Sequence, residues 1–129
     1  DGLHCLFSKY GSGSEYQFYY DNNSTDWRFV YHSSVYTWDD NSITTGTWYH
    51  IALVKDGQTH YLFKNGTSLG TNTATETSLT GRNFALGCSF NGNNSALYHL
   101  KGKLDEVRVT KVARYTSSFQ IPTKSYPNK

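Results

Sequence analysis

Methionine is absent from this chain, proline and cysteine occur twice each, and glutamate stands only at positions 15, 76 and 106. Each shortage excludes something. Cleaving a glycosidic bond with retention takes two carboxylates about 5 Å apart, one to attack and one to donate a proton. None of the three glutamates has a second carboxylate two or four residues on. Glu106 adjoins Asp105, but consecutive strand residues point to opposite faces. G-x-S-x-G is missing, His4, His32, His50, His60 and His99 share no metal-binding spacing, and there is no C-x-x-C. The expectation is a protein that is not an enzyme. No apolar run approaches the roughly 20 residues that cross a bilayer, so membrane insertion is not expected. Charged residues are scarce at 17% and the net charge is only +2, too small to imply a nucleic-acid partner, although basic residues crowd the stretch after Leu100. The missing initiator methionine at Asp1 reads as a processed or excised piece.

Aromatic residues fill the space left by these absences. They make up 16% of the chain, 11 of them tyrosine, and they are interleaved with Ser, Thr, Asn and Gly. Aromatic and β-branched residues suit a pleated, half-buried surface, and the small polar residues suit turns. The organising stretch is Gly46 to Gly70, GTWYHIALVKDGQTHYLFKNGTSLG. Asp56-Gly57 and Asn65-Gly66 are strong hairpin signals, since both central positions of a type I′ turn need positive φ. The two turns lie nine residues apart, too close for a crossover helix, so the stretch predicts a β-meander.

The rest of the chain follows the same pattern. Strands are expected at Leu3 to Ser8, Tyr16 to Tyr20, Trp27 to His32, Val35 to Trp38, Asn83 to Ser89, Leu97 to Leu100 and Leu104 to Thr110. A turn is expected at Tyr10 to Ser14, a loop or weak edge strand at Thr71 to Thr80, and one helical turn at Val112 to Tyr115. Trp27 and Trp48, mid-pattern, are expected in the core. At 129 residues the chain fits one domain spanning 1–129, all-β and antiparallel. Cys5 and Cys88 each lie inside a strand-like run; one inter-strand disulfide in an oxidising compartment and two buried thiols are both open. Asn22, Asn23, Asn65 and Asn93 fit N-x-[ST], a pattern that also arises by chance in so Asn- and Thr-rich a chain.

Two stretches carry a family resemblance. TGTWYHIALVKDGQTHYLFKNGTSLG resembles the W-x-H-x-A-x-V…DG…NG core of laminin-G-like domains of the concanavalin A-like lectin/glucanase fold. GKLDEVRVTKVARYTSSFQIP is similar to the closing G-x-(I/L)-D-E-V-R…A-R-Y…F-x-x-P segment of the same group, especially its bacterial and phage-borne members, and FALGCS stands between the two. The resemblance implies a jelly-roll β-sandwich of two antiparallel sheets, used for carbohydrate binding or adhesion, often with a structural calcium. It further implies that Asp105 takes the position that often contributes to that calcium; hydrogen bonding to backbone or to Arg108 or Arg114 is the other role open to it. Family members usually open with strands ahead of the one LHCLFSKY resembles. Without them a sheet edge is left for another chain or a second copy to cover.

Sugar recognition needs aromatic faces against the pyranose and amides or carboxylates for its hydroxyls. Tyr36, Trp38, Asp39 and Asp40, followed by Asn41, form one candidate cluster, and Asn91, Asn93, Asn94 and Tyr98 a second; turn formation and rim packing would also account for them. The function expected is a non-catalytic carbohydrate-binding or adhesion module, extracellular or on a virion surface, whose partner is a glycan or another protein chain. The alternative is a structural β-sandwich of a fibre, tail or capsid decoration.

Overall fold

A computed structural model describes residues 2–9, 16–32, 34–75, 83–91 and 95–125. Every regular element among them is a strand, and every pairing is antiparallel. The strands are β1 (Leu3–Lys9), β2 (Tyr16–Asp21), β3 (Asp26–Tyr31), β4 (Ser34–Asp39), β5 (Ile51–Asp56), β6 (Thr59–Lys64), β7 (Thr67–Thr73), β8 (Ala85–Leu86), β9 (Ser89–Phe90) and β10 (Ala96–Leu97). They fall into two compact units, one built from residues 1–43 and 76–104, the other from 44–75 and 105–129.

Unit 1 is a five-stranded sheet in the order β4-β3-β2-β1-β8, together with the small β9-β10 hairpin. Its centre is aromatic because β2 and β3 are buried at nearly every position, and the register sets their rings beside each other. Phe18 stacks on Trp27 at 5.5 Å and lies 5.4 Å from Phe7, and Tyr20 meets Trp27 at 5.0 Å. Trp38 pairs across from Trp27 and is only 4% exposed. Beneath this layer Cys5, Tyr19 and Val30 form a cluster joined by Leu3 and Tyr98. A bulge between Cys5 and Phe7 shifts the pairing of β1 with β2. The strand expected at Asn83 to Ser89 is broken into β8 and β9 by Gly87 at φ 72°.

Unit 2 is the meander β5-β6-β7. Its two turns differ from each other. Lys64 pairs with Thr67, leaving Asn65 and Gly66 as central residues, both at positive φ, which is the expected type I′ signature. Asp56 pairs with Thr59, so the first turn is centred on Gly57-Gln58 instead of Asp56-Gly57. Of those two only Gly57 is at positive φ, as in a Gly-X turn of type II′. The C-terminal segment closes over the β6–β7 hairpin. Phe119 donates its N–H to the Gly66 carbonyl at 2.9 Å, and its ring stacks on Tyr115 at 3.6 Å and edges against Phe63 at 5.4 Å and His50 at 5.6 Å. The two stretches that carry the family resemblance therefore pack on each other.

Several sequence expectations are corrected. Trp48 is 63% exposed instead of core, because the ladder begins only at Ile51 and Trp48 precedes it. No helical turn forms at Val112 to Tyr115, and no strand at Leu104 to Thr110. In the latter, the Asp105 carboxylate accepts the Glu106 N–H at 2.8 Å, and Glu106 takes φ 51°, so a local side-chain bond competes with extension. The turn at Tyr10 to Ser14 and the far end of the Thr71 to Thr80 stretch lie outside the described residues.

Candidate functional site

Two hairpin ends of unit 1 converge because β3 is shared between them: Asp21 pairs with Asp26 on one side and Asp39 with Asp26 on the other. The β2–β3 turn and the chain leaving β4 therefore emerge side by side, joined by a hydrogen bond from Asp40 N–H to the Thr25 carbonyl at 2.9 Å. Between them lies a cavity of about 500 Å³ lined by Ser24, Thr25, Asp39, Asp40 and Asn41. Its lining is hydroxyl, carboxylate and amide. Thr25 sits at φ 56°, an uncommon conformation for a β-branched residue that the surrounding bonds must hold in place.

The polar groups around this cavity divide into those already engaged and those facing solvent. Asp40 is buried: one carboxylate oxygen accepts the Trp27 indole N–H at 3.0 Å, and the other accepts the Ser42 N–H at 3.2 Å and the Ser42 hydroxyl at 2.6 Å. Its carbonyl accepts the Tyr20 hydroxyl at 2.9 Å. Arg28 bridges Asp26 at 2.8 Å and Asp21 at 3.2 Å and donates to Ser24 Oγ at 2.6 Å, and its bond to Asp26 holds the guanidinium above its ordinary pKa. These acids are compensated from within the fold. Asp39 and Asn41 are exposed, and they supply the cavity's accessible carboxylate and amide.

The first candidate cluster is thus split. Asp39 and Asp40 line the cavity, Tyr36 is half-buried with its ring 6.5 Å from Phe29, and Trp38 is buried, leaving no ring face for a sugar. Trp38 was expected either to stack on a sugar or to pack at the rim, but its pairing with Trp27 draws it into the aromatic centre. In the second cluster, Asn91 bonds Ser95 through both backbone and side chain and so closes a loop, and Asn93 and Asn94 lie outside the described residues. Tyr98 is half-buried, at φ 53°, with its ring 6.4 Å from Tyr19. Trp38 and Tyr98 do not face solvent together. Ser24 and Thr25 were missed; the acidic residues at matching ends of the two hairpins were the available signal.

Asp105 is exposed and satisfied by the Glu106 N–H, and no group of three His, Cys, Asp or Glu side chains gathers among the described residues. Cys5, buried, and Cys88, half-buried, are free thiols.

Antiparallel sheets throughout the described residues define an all-β protein. The chain belongs to the Laminin_G_3 family of the concanavalin A-like lectin/glucanases superfamily, whose model matches residues 2–118. Comparison with curated proteins and with solved structures returned no match. Laminin G-like domains are generally non-catalytic binding modules, and membership of this superfamily indicates a carbohydrate-binding or structural role.

Proposed function

We propose that the chain is a non-catalytic carbohydrate-binding module of an extracellular or virion-surface protein, and that it holds its glycan in the cavity between Ser24, Thr25, Asp39, Asp40 and Asn41. The observation that carries this reading is the division of labour around Asp40. Internal bonds fix that carboxylate and the turn beside it, while Asp39 and Asn41 stay exposed to meet hydroxyls. A rim preorganised in this way loses little freedom on binding. With no aromatic ring among the described lining residues, hydrogen bonding supplies the affinity, so a weak and polar interaction is expected.

A glycan array followed by calorimetry tests it. Asp39→Ala combined with Asn41→Ala should weaken binding of the best glycan at least tenfold, with the melting temperature close to that of the wild type. Absence of any glycan ligand for the wild type, or full binding by the double variant, would overturn the assignment.

One observation favours the structural alternative, a building block that joins another chain. Val107, Val109 and Val112 are 50%, 77% and 70% exposed, on a segment whose sequence alternates as a strand does. Concentration-dependent association, abolished by Val109→Lys without effect on glycan binding, would support that role.

A further inference from the structure

β1 and β8 run antiparallel with Ser8 opposite Ala85 and Phe7 opposite Leu86, and the Gly87 N–H donates to the Leu6 carbonyl at 2.9 Å. That bond joins the chain neighbour of Cys5 to the chain neighbour of Cys88. Beyond it the pairing ends: Gly87, at φ 72°, terminates β8, and the Cys5 N–H goes to the Tyr98 carbonyl at 3.0 Å. Cys88 is held there by a second contact, its carbonyl accepting the hydroxyl of the fully buried Ser8 at 3.0 Å.

We propose that Cys5 and Cys88 form a redox pair that closes to a disulfide by exchange with a small-molecule disulfide, Cys88 acting as the entry thiol and Cys5 as the resolving one. A disulfide needs its Cβ atoms about 3.5–4.5 Å apart, so closure draws the segment after Gly87 onto β1. Exposure sets the order of events: Cys88 is half-buried and Cys5 has no exposed surface. In the first step the Cys88 thiolate attacks one sulfur of the oxidant, whose S–S bond breaks and releases one thiol after protonation. In the second, Cys5 gives its proton to solvent and its thiolate attacks the Cys88 sulfur, expelling the second thiol. Two protein thiols are oxidised to one disulfide, and one small disulfide is reduced to two thiols.

The second step is the slow one. Burial, helped by the nearby Cys88, pushes the Cys5 thiol up to about 12. Since the thiolate is the nucleophile, its fraction, and with it the closure rate, should rise about tenfold per pH unit well below that value. Once closed, the bond ties the β8–β9 segment to β1, beside the cluster of Cys5, Tyr19 and Val30.

The test exposes the chain to oxidised glutathione between pH 7 and 9 and follows intact mass. A single glutathione adduct should appear first and convert, faster at higher pH, to a species two hydrogens lighter than the reduced chain, with Cys5 and Cys88 peptides joined on digestion. Cys5→Ala should stop at the adduct, and Cys88→Ala should acquire none while folded. A wild type that stays at the adduct, links two chains instead, or closes at a pH-independent rate would overturn the proposal. So would a Cys88→Ala variant glutathionylated as fast as the wild type.

Discussion

In unit 1 the sheet is pinned from inside its own hairpin ends, Asp40 to Trp27 and Ser42, Arg28 to Asp21 and Asp26, whereas unit 2 rests on two two-residue turns and a C-terminal segment laid over one of them. The first arrangement depends on side chains at most 13 residues apart, brought together by the register of neighbouring strands. The second depends on backbone geometry at single glycines and on aromatic residues brought back by the chain. Specificity thus resides in polar bonds in one unit and in turn chemistry in the other. Each should break in its own way.

The largest effect is expected at Gly66. It sits at φ 79°, and a Cβ added there would collide with the Phe119 carbonyl oxygen, which belongs to the residue whose N–H it accepts. Gly66→Ala therefore combines left-handed strain with expulsion of the C-terminal segment, and should cost about 3 kcal/mol. Gly57, at φ 57°, has open space around it, so Gly57→Ala carries the backbone term alone, about 1 kcal/mol. Chemical denaturation of both variants measures the pair. Equal losses would show that the approach of Phe119 adds nothing to the fold.

The comparison sharpens at Asp40. Asp40→Ala leaves the buried Trp27 indole N–H without its acceptor, a loss of about 2 kcal/mol, while Asp40→Asn keeps an oxygen in place and should cost about half as much. Trp27 fluorescence and urea midpoints report both. A pair of variants as stable as the wild type would mean the hairpin ends of unit 1 are held by Arg28 alone.

How legible each unit was follows from the same contrast. Asn65-Gly66, both motif stretches and the aromatic alternation are local, and they suffice to predict the all-antiparallel architecture. The first turn slipped by one residue because Asp56 and Thr59 pair, which depends on the register of the flanking strands and not on the Asp-Gly dipeptide. The tryptophans show the limit most clearly. Trp48 and Trp38 both sit in apolar-looking runs, yet only Trp38 lies opposite another tryptophan and becomes buried. The cavity was half legible: Asp39 and Asp40 stood out, but Ser24 and Thr25 join them only through a strand shared between two hairpins. At Leu104 to Thr110 the alternation was correct as a pattern and wrong as a prediction, since Asp105 satisfies its neighbour's N–H locally.

The smallest effect separates the units by pH. Unit 1 contains His4 and unit 2 His50, and both are held below 6.5, each chiefly by burial, with Lys101 adding to the effect at His4. A histidine whose folded pKa is depressed binds its proton less readily than the unfolded chain does, so stability is fullest above pH 6.5 and declines as pH falls through the window below it. The melting temperature should accordingly drop between pH 7 and 5. His50→Gln should remove the acid sensitivity of amide exchange along β6 and β7, and His4→Gln that along β1. The His50 ring packs edge-on to Phe119, so protonating it disturbs the same segment that Gly66 admits. A melting temperature that rises on acidification, or exchange in β6 and β7 that remains acid-sensitive in His50→Gln, would remove His50 from this account and leave turn geometry as the sole anchor of the C-terminal segment.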